Sequence, residues 1–115
     1  MNALVRGMIV WAWLDPAVGR EHSGRRPAVV VSSTAYLDTV DKLVVVLPVA
    51  TKDRGWPNHI PVSPAELLPQ PSWVVTEQPR TISRERVVKT GGVVDGQCLA
   101  AVDRWTKLFL CDPQS

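Results

Sequence analysis

A chain of 115 residues is long enough to bury one core without disulfide or metal staples, and residues 1–115 read as a single domain. Hydrophobic residues make up 45% and charged residues 21%, which excludes a disordered or low-complexity chain. The net charge of +2 excludes a basic field over the whole molecule, so any contact with nucleic acid must come from local clusters of charge.

The first residues, 1–6, have neither a long apolar stretch nor a small-residue cleavage site, so no signal peptide is expected. Residues 8–14 read as a strand with Trp11 and Trp13 on one face and Val10, Ala12 and Leu14 on the other. A polar loop rich in glycine and arginine runs over 15–27. Residues 28–32 and 43–49 are continuous apolar runs, as strands buried on both faces should be. The longest apolar run, 43–50, is interrupted by Pro48 and far too short to span a membrane. Residues 59–62 and 72–76 are shorter strand candidates. Eight prolines between positions 27 and 79 punctuate these strands and argue against helices there.

Helical signals come late. Ser83 is placed to cap a short turn through Arg84, Glu85 and Arg86. A longer helix starts at Asp95 and carries Leu99, Val102, Trp105, Thr106 and Phe109 on one stripe. Asp103 and Lys107, four apart, are expected to pair on its outer face, and Asp112 with Pro113 ends it. Cys98 and Cys111 both lie in this region without metal-ligand spacing and read as buried small hydrophobes in a reduced, cytoplasmic protein. The pattern predicts a mainly β fold, a small antiparallel barrel or strongly bent sheet with a short helical turn and a C-terminal helix.

The loop before residue 28 carries the chemistry that stands out. It offers Arg20, Arg25 and Arg26 as fixed positive charges, with Glu21 and His22 as titratable groups among them. Guanidinium forks match phosphate oxygens in geometry and charge, so a nucleic-acid backbone is one natural partner, and a solvated turn is the other reading. A second loop, Lys52-Asp53-Arg54-Gly55-Trp56-Pro57, combines charge with an aromatic ring. Trp56 there is either a stacking platform for a base or a loop anchor.

Three ordered blocks then resemble the MazF/PemK toxin family. The first is Arg6-Gly7, Asp15-Pro16, Gly19-x-Glu21 and Arg26-Pro27 before an all-valine strand. The second is Val46-Leu47-Pro48-Val49. The third is Glu77-Gln78-Pro79-Arg80-Thr81-Ile82, with Arg86 four residues on. The resemblance implies an SH3-like barrel, a homodimer, and the toxin half of a toxin–antitoxin pair neutralised by a MazE-like antitoxin. It also implies a metal-independent, cofactor-free endoribonuclease that cuts single-stranded RNA at short sequences, leaving a 2′,3′-cyclic phosphate and a 5′-hydroxyl.

In that chemistry RNA supplies its own nucleophile, the ribose 2′-hydroxyl, and the enzyme must stabilise charge on the phosphate and manage two protons. Arg26 matches the family's catalytic arginine and suits a phosphate clamp better than a general base, since a guanidinium stays charged at neutral pH; an acid/base role is the alternative the resemblance implies. The family usually places a threonine or serine at the end of the third strand. Here the match falls on Ala50, and Thr51 is next. Either Thr51, another donor, or a weakened site would follow. His22, where the family often has glutamine, is a candidate for proton transfer or a plain loop residue. Glu21 is expected to organise the loop rather than act as a base. His59 reads as structural or RNA-contacting. Glu77 and Gln78 would orient Arg26 or read a base edge, and Arg80, with Arg84 and Arg86, could follow the phosphates. A binding-only member of the family, or a gyrase poison like the related CcdB toxins, is the alternative. The tail Cys111-Asp112-Pro113-Gln114-Ser115 lacks the tryptophan on which the CcdB resemblance leans.

Overall fold

The structure, a computed structural model, describes residues 3–14 and 24–112. Seven strands and two helices follow in the order β1 (Met8–Ala12), β2 (Arg26–Val30), α1 (Thr34–Thr39), β3 (Leu43–Ala50), β4 (His59–Pro61), β5 (Trp73–Val75), β6 (Arg80–Ser83), β7 (Val87–Val93) and α2 (Gly96–Leu110). Single 3-10 turns lie at Ala65–Leu67 and Arg84–Arg86. Every pairing is antiparallel, and the sheet runs β4-β5-β3-β2-β1-β7 with β6 added on β3. Among the described residues β4 does not meet β7, so the sheet is bent and open rather than a closed barrel.

The apolar strand β3 organises the rest. One of its edges pairs with β2; the other pairs with β6 along Leu43–Val46 and then with β5 at Val49 and Ala50. The Val31 amide donates to the Val45 carbonyl, so odd-numbered backbone groups of β3 face β2. The missing N–H of Pro48 therefore faces the other edge, at the point where β6 gives way to β5 and no ladder bond is lost.

Side chains alternate between two layers. Ile9, Val29, Leu47, Val49 and Val74 pack with Cys98 and Val102 of α2. Val10, Ala12, Ala28, Val30, Val44, Val46 and Ile82 form the second cluster, joined by Leu4, Leu37 and Val87. The predicted alternation of β1 holds on its buried side, with Val10, Ala12 and Leu14 all in the second cluster. Trp13, on the other face, is 41% exposed.

Several sequence expectations change. Helix α1 stands in the region read as free of helix. The Ser33 hydroxyl accepts from the Tyr36 amide at its start, and the Arg84 guanidinium donates to the carbonyls of Leu37, Val40 and Leu43 beside its end. Those bonds make Arg84 a structural clamp rather than a phosphate contact. Strands β6 and β7 were not legible as strands. Asp95 does cap α2, accepting from the Cys98 amide at 2.9 Å, and its carboxylate also accepts from the Ser63 hydroxyl at 2.5 Å. Those bonds, Ser63 first, hold its carboxyl below the usual range. Asp103 pairs with Arg6 instead of Lys107, tying the N-terminal segment to α2. The stripe of α2 is buried only near its start, and Phe109 is 48% exposed. Cys98 is buried, and burial pushes its thiol up, which keeps it unreactive. Cys111 is exposed, contrary to the reading of both as core residues.

Candidate active site

Arg26 opens β2 and is exposed; Pro27 behind it lies within the strand, opposite Trp11. Ala12 is Arg26's partner on β1. Continuing the β2–β3 ladder by two residues sets Arg26 opposite Ala50, which pairs with Trp73, which in turn pairs with Pro61. Paired residues of an antiparallel ladder share a face, so Arg26, Ala50, Trp73 and Pro61 form one row across four strands. The row continues the layer of Ala28, Val30 and Val46 beyond the point where the core covers it, which is why Arg26 reaches solvent.

The neighbouring row on that face holds Pro48, Val75 and His59, since His59 pairs with Val75. The His59 side chain is only 4% exposed. Its Nε2 lies 3.0 and 3.2 Å from the two carboxylate oxygens of Glu77. The Asn58 amide donates to Glu77 Oε1 at 2.7 Å and to Thr76 Oγ1 at 3.1 Å, and the Thr76 hydroxyl donates back to the Asn58 carbonyl at 2.8 Å. Partial burial pushes the Glu77 carboxyl up, but the hydrogen bonds and charge from His59, with those of its own backbone and Asn58, outweigh it and hold the carboxyl low. His59 Nδ1 has no partner among the described residues.

Loop 51–58 leads from β3 to this network. Asp53 accepts from the Gly55 amide at 2.9 Å, and Gly55 takes φ +74°, a turn that glycine makes without strain. The turn brings Trp56 over His59, with ring centroids 4.9 Å apart, while leaving the indole 48% exposed. Lys52 and Arg54 are exposed on the same loop, and Thr51 lies just past the end of β3, also exposed. Arg25 is exposed next to Arg26.

The structure thus brings Arg26, Ala50 and the His59–Glu77 pair to one face, with Trp56, Lys52 and Arg54 on the loop beside it. Glu77 and Gln78 follow β5 in a turn and the stretch after it, and the carboxylate contacts His59 and Asn58, not Arg26. Arg80 donates to the Leu14 carbonyl at 2.9 Å and so braces the point where the arginine loop leaves β1. Arg86 does the same at the Trp13 carbonyl, 3.0 Å away. Arg20, Glu21 and His22 lie outside the described residues. Asn58, Thr76 and Trp73 are not read as site residues from the sequence; only the strand register and the contacts across it bring them to the site. Among the described residues no group of three or more histidines, cysteines or acids is placed to share a metal ion, and no helix is long and apolar enough to cross a membrane.

Comparison with known proteins gives this arrangement a context. The profile of the family described as "PemK-like, MazF-like toxin of type II toxin-antitoxin system" matches residues 5–110. The chain is 34% identical to Endoribonuclease MazF9 of Mycobacterium tuberculosis over 91% of this chain and 94% of that one. It is 35% identical to the Endoribonuclease toxin MazF of Escherichia coli over 60 residues, and there it spans about half the length of either chain (52% and 53%). The structure superposes on a MazE–MazF crystal structure from Deinococcus radiodurans with a TM-score of 0.81 and 28% identity, covering 96% of this chain and 97% of that one. This chain belongs to the PemK-like, MazF-like family of toxins of type II toxin–antitoxin systems.

Proposed function

We propose that the protein is the toxin of such a pair and acts as a metal-independent endoribonuclease on single-stranded RNA. The observation that carries this reading is the exposed Arg26 set on one sheet face with Ala50 and with the buried His59 and its half-buried partner Glu77, beside a loop that offers Trp56, Lys52 and Arg54. The family match and the endoribonuclease relatives support it.

Arg26 acts as the clamp. The 2′-hydroxyl gives up its proton to a base and bonds to the adjacent phosphorus. The P–O5′ bond breaks as the 5′-oxygen takes up a proton, leaving a 2′,3′-cyclic phosphate and a 5′-hydroxyl, and the guanidinium neutralises charge on the non-bridging oxygens as it builds. Arg25, Lys52, Arg54 and Arg20 steer the backbone, and Trp56 stacks a base. The Glu77 carboxylate, itself held by the Asn58 amide, holds His59 in place, and the surface around them, with Gln78, contacts the strand. Thr51, Glu21 and His22 supply the hydroxyl, the loop organisation and the proton transfer that Ala50 does not. The protein works in the cytoplasm as a homodimer of single-domain chains, held in check by a MazE-like antitoxin, as the similarity to the Deinococcus complex supports.

Replacing the ribose at the cut by 2′-deoxyribose in an otherwise identical oligonucleotide tests the chemistry. Cleavage should vanish at that bond alone; continued cutting there would exclude attack by the 2′-hydroxyl.

A further inference from the structure

The row that begins at Arg26 ends in a cavity. Trp73 and Pro61, its last two members, line a space of about 250 Å³ together with Leu68, Pro71, Gln70 and Ser72. The walls are mostly apolar. The Ser72 hydroxyl donates to the Gln70 carbonyl at 2.8 Å, which fixes the turn at its polar rim, and Gln70 is exposed. Two strand spacings, about 10 Å, separate the backbones of Arg26 and Trp73. Between them Ala50 contributes only a methyl group, so no long side chain of the row stands between the guanidinium and the indole.

The dimensions suit a ligand that is anionic at one end and flat at the other. The cavity is smaller than a typical site for a drug-sized molecule, has an aromatic wall, and lies within one nucleotide's reach of a cation that matches phosphate. We propose that it is a base-binding subsite: with the scissile phosphate at Arg26, the adjacent nucleobase of the same strand enters the cavity, stacks on Trp73 and presents its edge to Gln70. The subsite rests on the ribonuclease reading above and gives it a determinant of sequence choice. It also gives Ala50 a role, because a larger residue there would stand in the path between phosphate and base.

Cleavage of a randomised single-stranded RNA pool by the wild type, Trp73→Ala, Trp73→Phe and Gln70→Glu, with all cut sites sequenced, tests this. Trp73→Ala should slow cutting at all sites of the pool by about five- to a hundredfold, the worth of one stacked base, because stacking accepts any base. Trp73→Phe should keep most of that rate, and Gln70→Glu should change which base is preferred next to the cut, since the edge contact reads base identity. If Trp73→Ala does not fold, the other two variants still decide. Unchanged preference at every position in the folded variants would overturn the subsite. So would an unchanged cleavage pattern with weakened binding of a MazE-like antitoxin peptide, which would give the cavity to a protein partner. A wild type that cuts nothing in the pool would remove the ribonuclease reading itself, a failure distinct from either.

Discussion

Replacing Arg26 separates catalysis from folding more cleanly than any other single change. The side chain is exposed at the first position of β2, and no hydrogen bond among the described residues uses its guanidinium. A surface truncation of this kind changes stability by no more than about 0.5 kcal/mol. For a chain of this length that moves the melting temperature by less than about 2 °C. Catalysis should respond on another scale. A preorganised donor aimed at developing charge is worth about 2.7–4 kcal/mol, so Arg26→Ala should slow the chemical step by about 10²- to 10³-fold. Arg26→Lys keeps the charge but loses the two-pronged geometry. One lost charge-assisted hydrogen bond, about 1.5 kcal/mol, predicts a rate about tenfold below the wild type. The assay is single-turnover cleavage of an end-labelled RNA carrying one cut site, with enzyme in excess so that binding does not limit the rate, and a thermal melt of each variant alongside. An Arg26→Ala protein that melts like the wild type and retains more than about a third of its rate would remove Arg26 from the chemistry. A fall of more than about 5 °C in melting temperature would show that its work is structural.

Trp56→Ala should weaken single-stranded RNA binding by about five- to a hundredfold in a fluorescence titration, because the half-exposed indole would no longer stack a base; unchanged affinity would make the ring a loop anchor on His59. Leu47 is fully buried beneath α2, and Leu47→Ala should cost about 2–5 kcal/mol, lowering the melting temperature by about 8–20 °C. A drop under 3 °C would mean that the two layers are not held by this cluster. Asp95 has its carboxyl lowered by the Ser63 hydroxyl and the Cys98 amide, so its folded value lies below the unfolded 3.8. Its contribution is therefore complete above that value and lost as pH falls through the folded one. Melting temperature measured from pH 7 down to 2 should fall more steeply below pH 4 for the wild type than for Asp95→Asn; parallel curves would show that the cap carries no pH-dependent stability.

What the sequence could reveal depended on whether a signal was local. The run around Leu43–Ala50 reads as a buried strand because every residue of it is apolar, and the cap at Asp95 reads as a helix start because capping is a matter of four consecutive residues. Helix α1 buries none of its six residues deeply, so periodicity had nothing to register there. Strand β7 contains Lys89, Thr90, Gly91 and Gly92 and is mostly exposed, which hides it for the same reason. A Cβ at Gly91 would sit 2.9 Å from the Trp11 ring, so a larger residue there would have to displace the indole. Arg26 and the Trp56 loop stood out as loop chemistry, and the family resemblance pointed at Arg26 directly. The neighbours of Arg26 did not stand out. Ala50, Trp73 and Pro61 join it only through the register of four strands, and His59 meets Glu77 across 18 residues of sequence. Cys111 was misplaced because α2 carries its apolar stripe past the end of the sheet that buries its first turns.

This face is expected to cut RNA without a metal, despite alanine at the end of β3. The decisive test is to incubate the purified, folded protein with a long single-stranded RNA in the presence of EDTA and to map every new 5′ end. Discrete cuts at a recurring short sequence, each leaving a 5′-hydroxyl, are the predicted result. Intact RNA, from a preparation free of antitoxin, would contradict it and leave a member of the family that acts by binding alone.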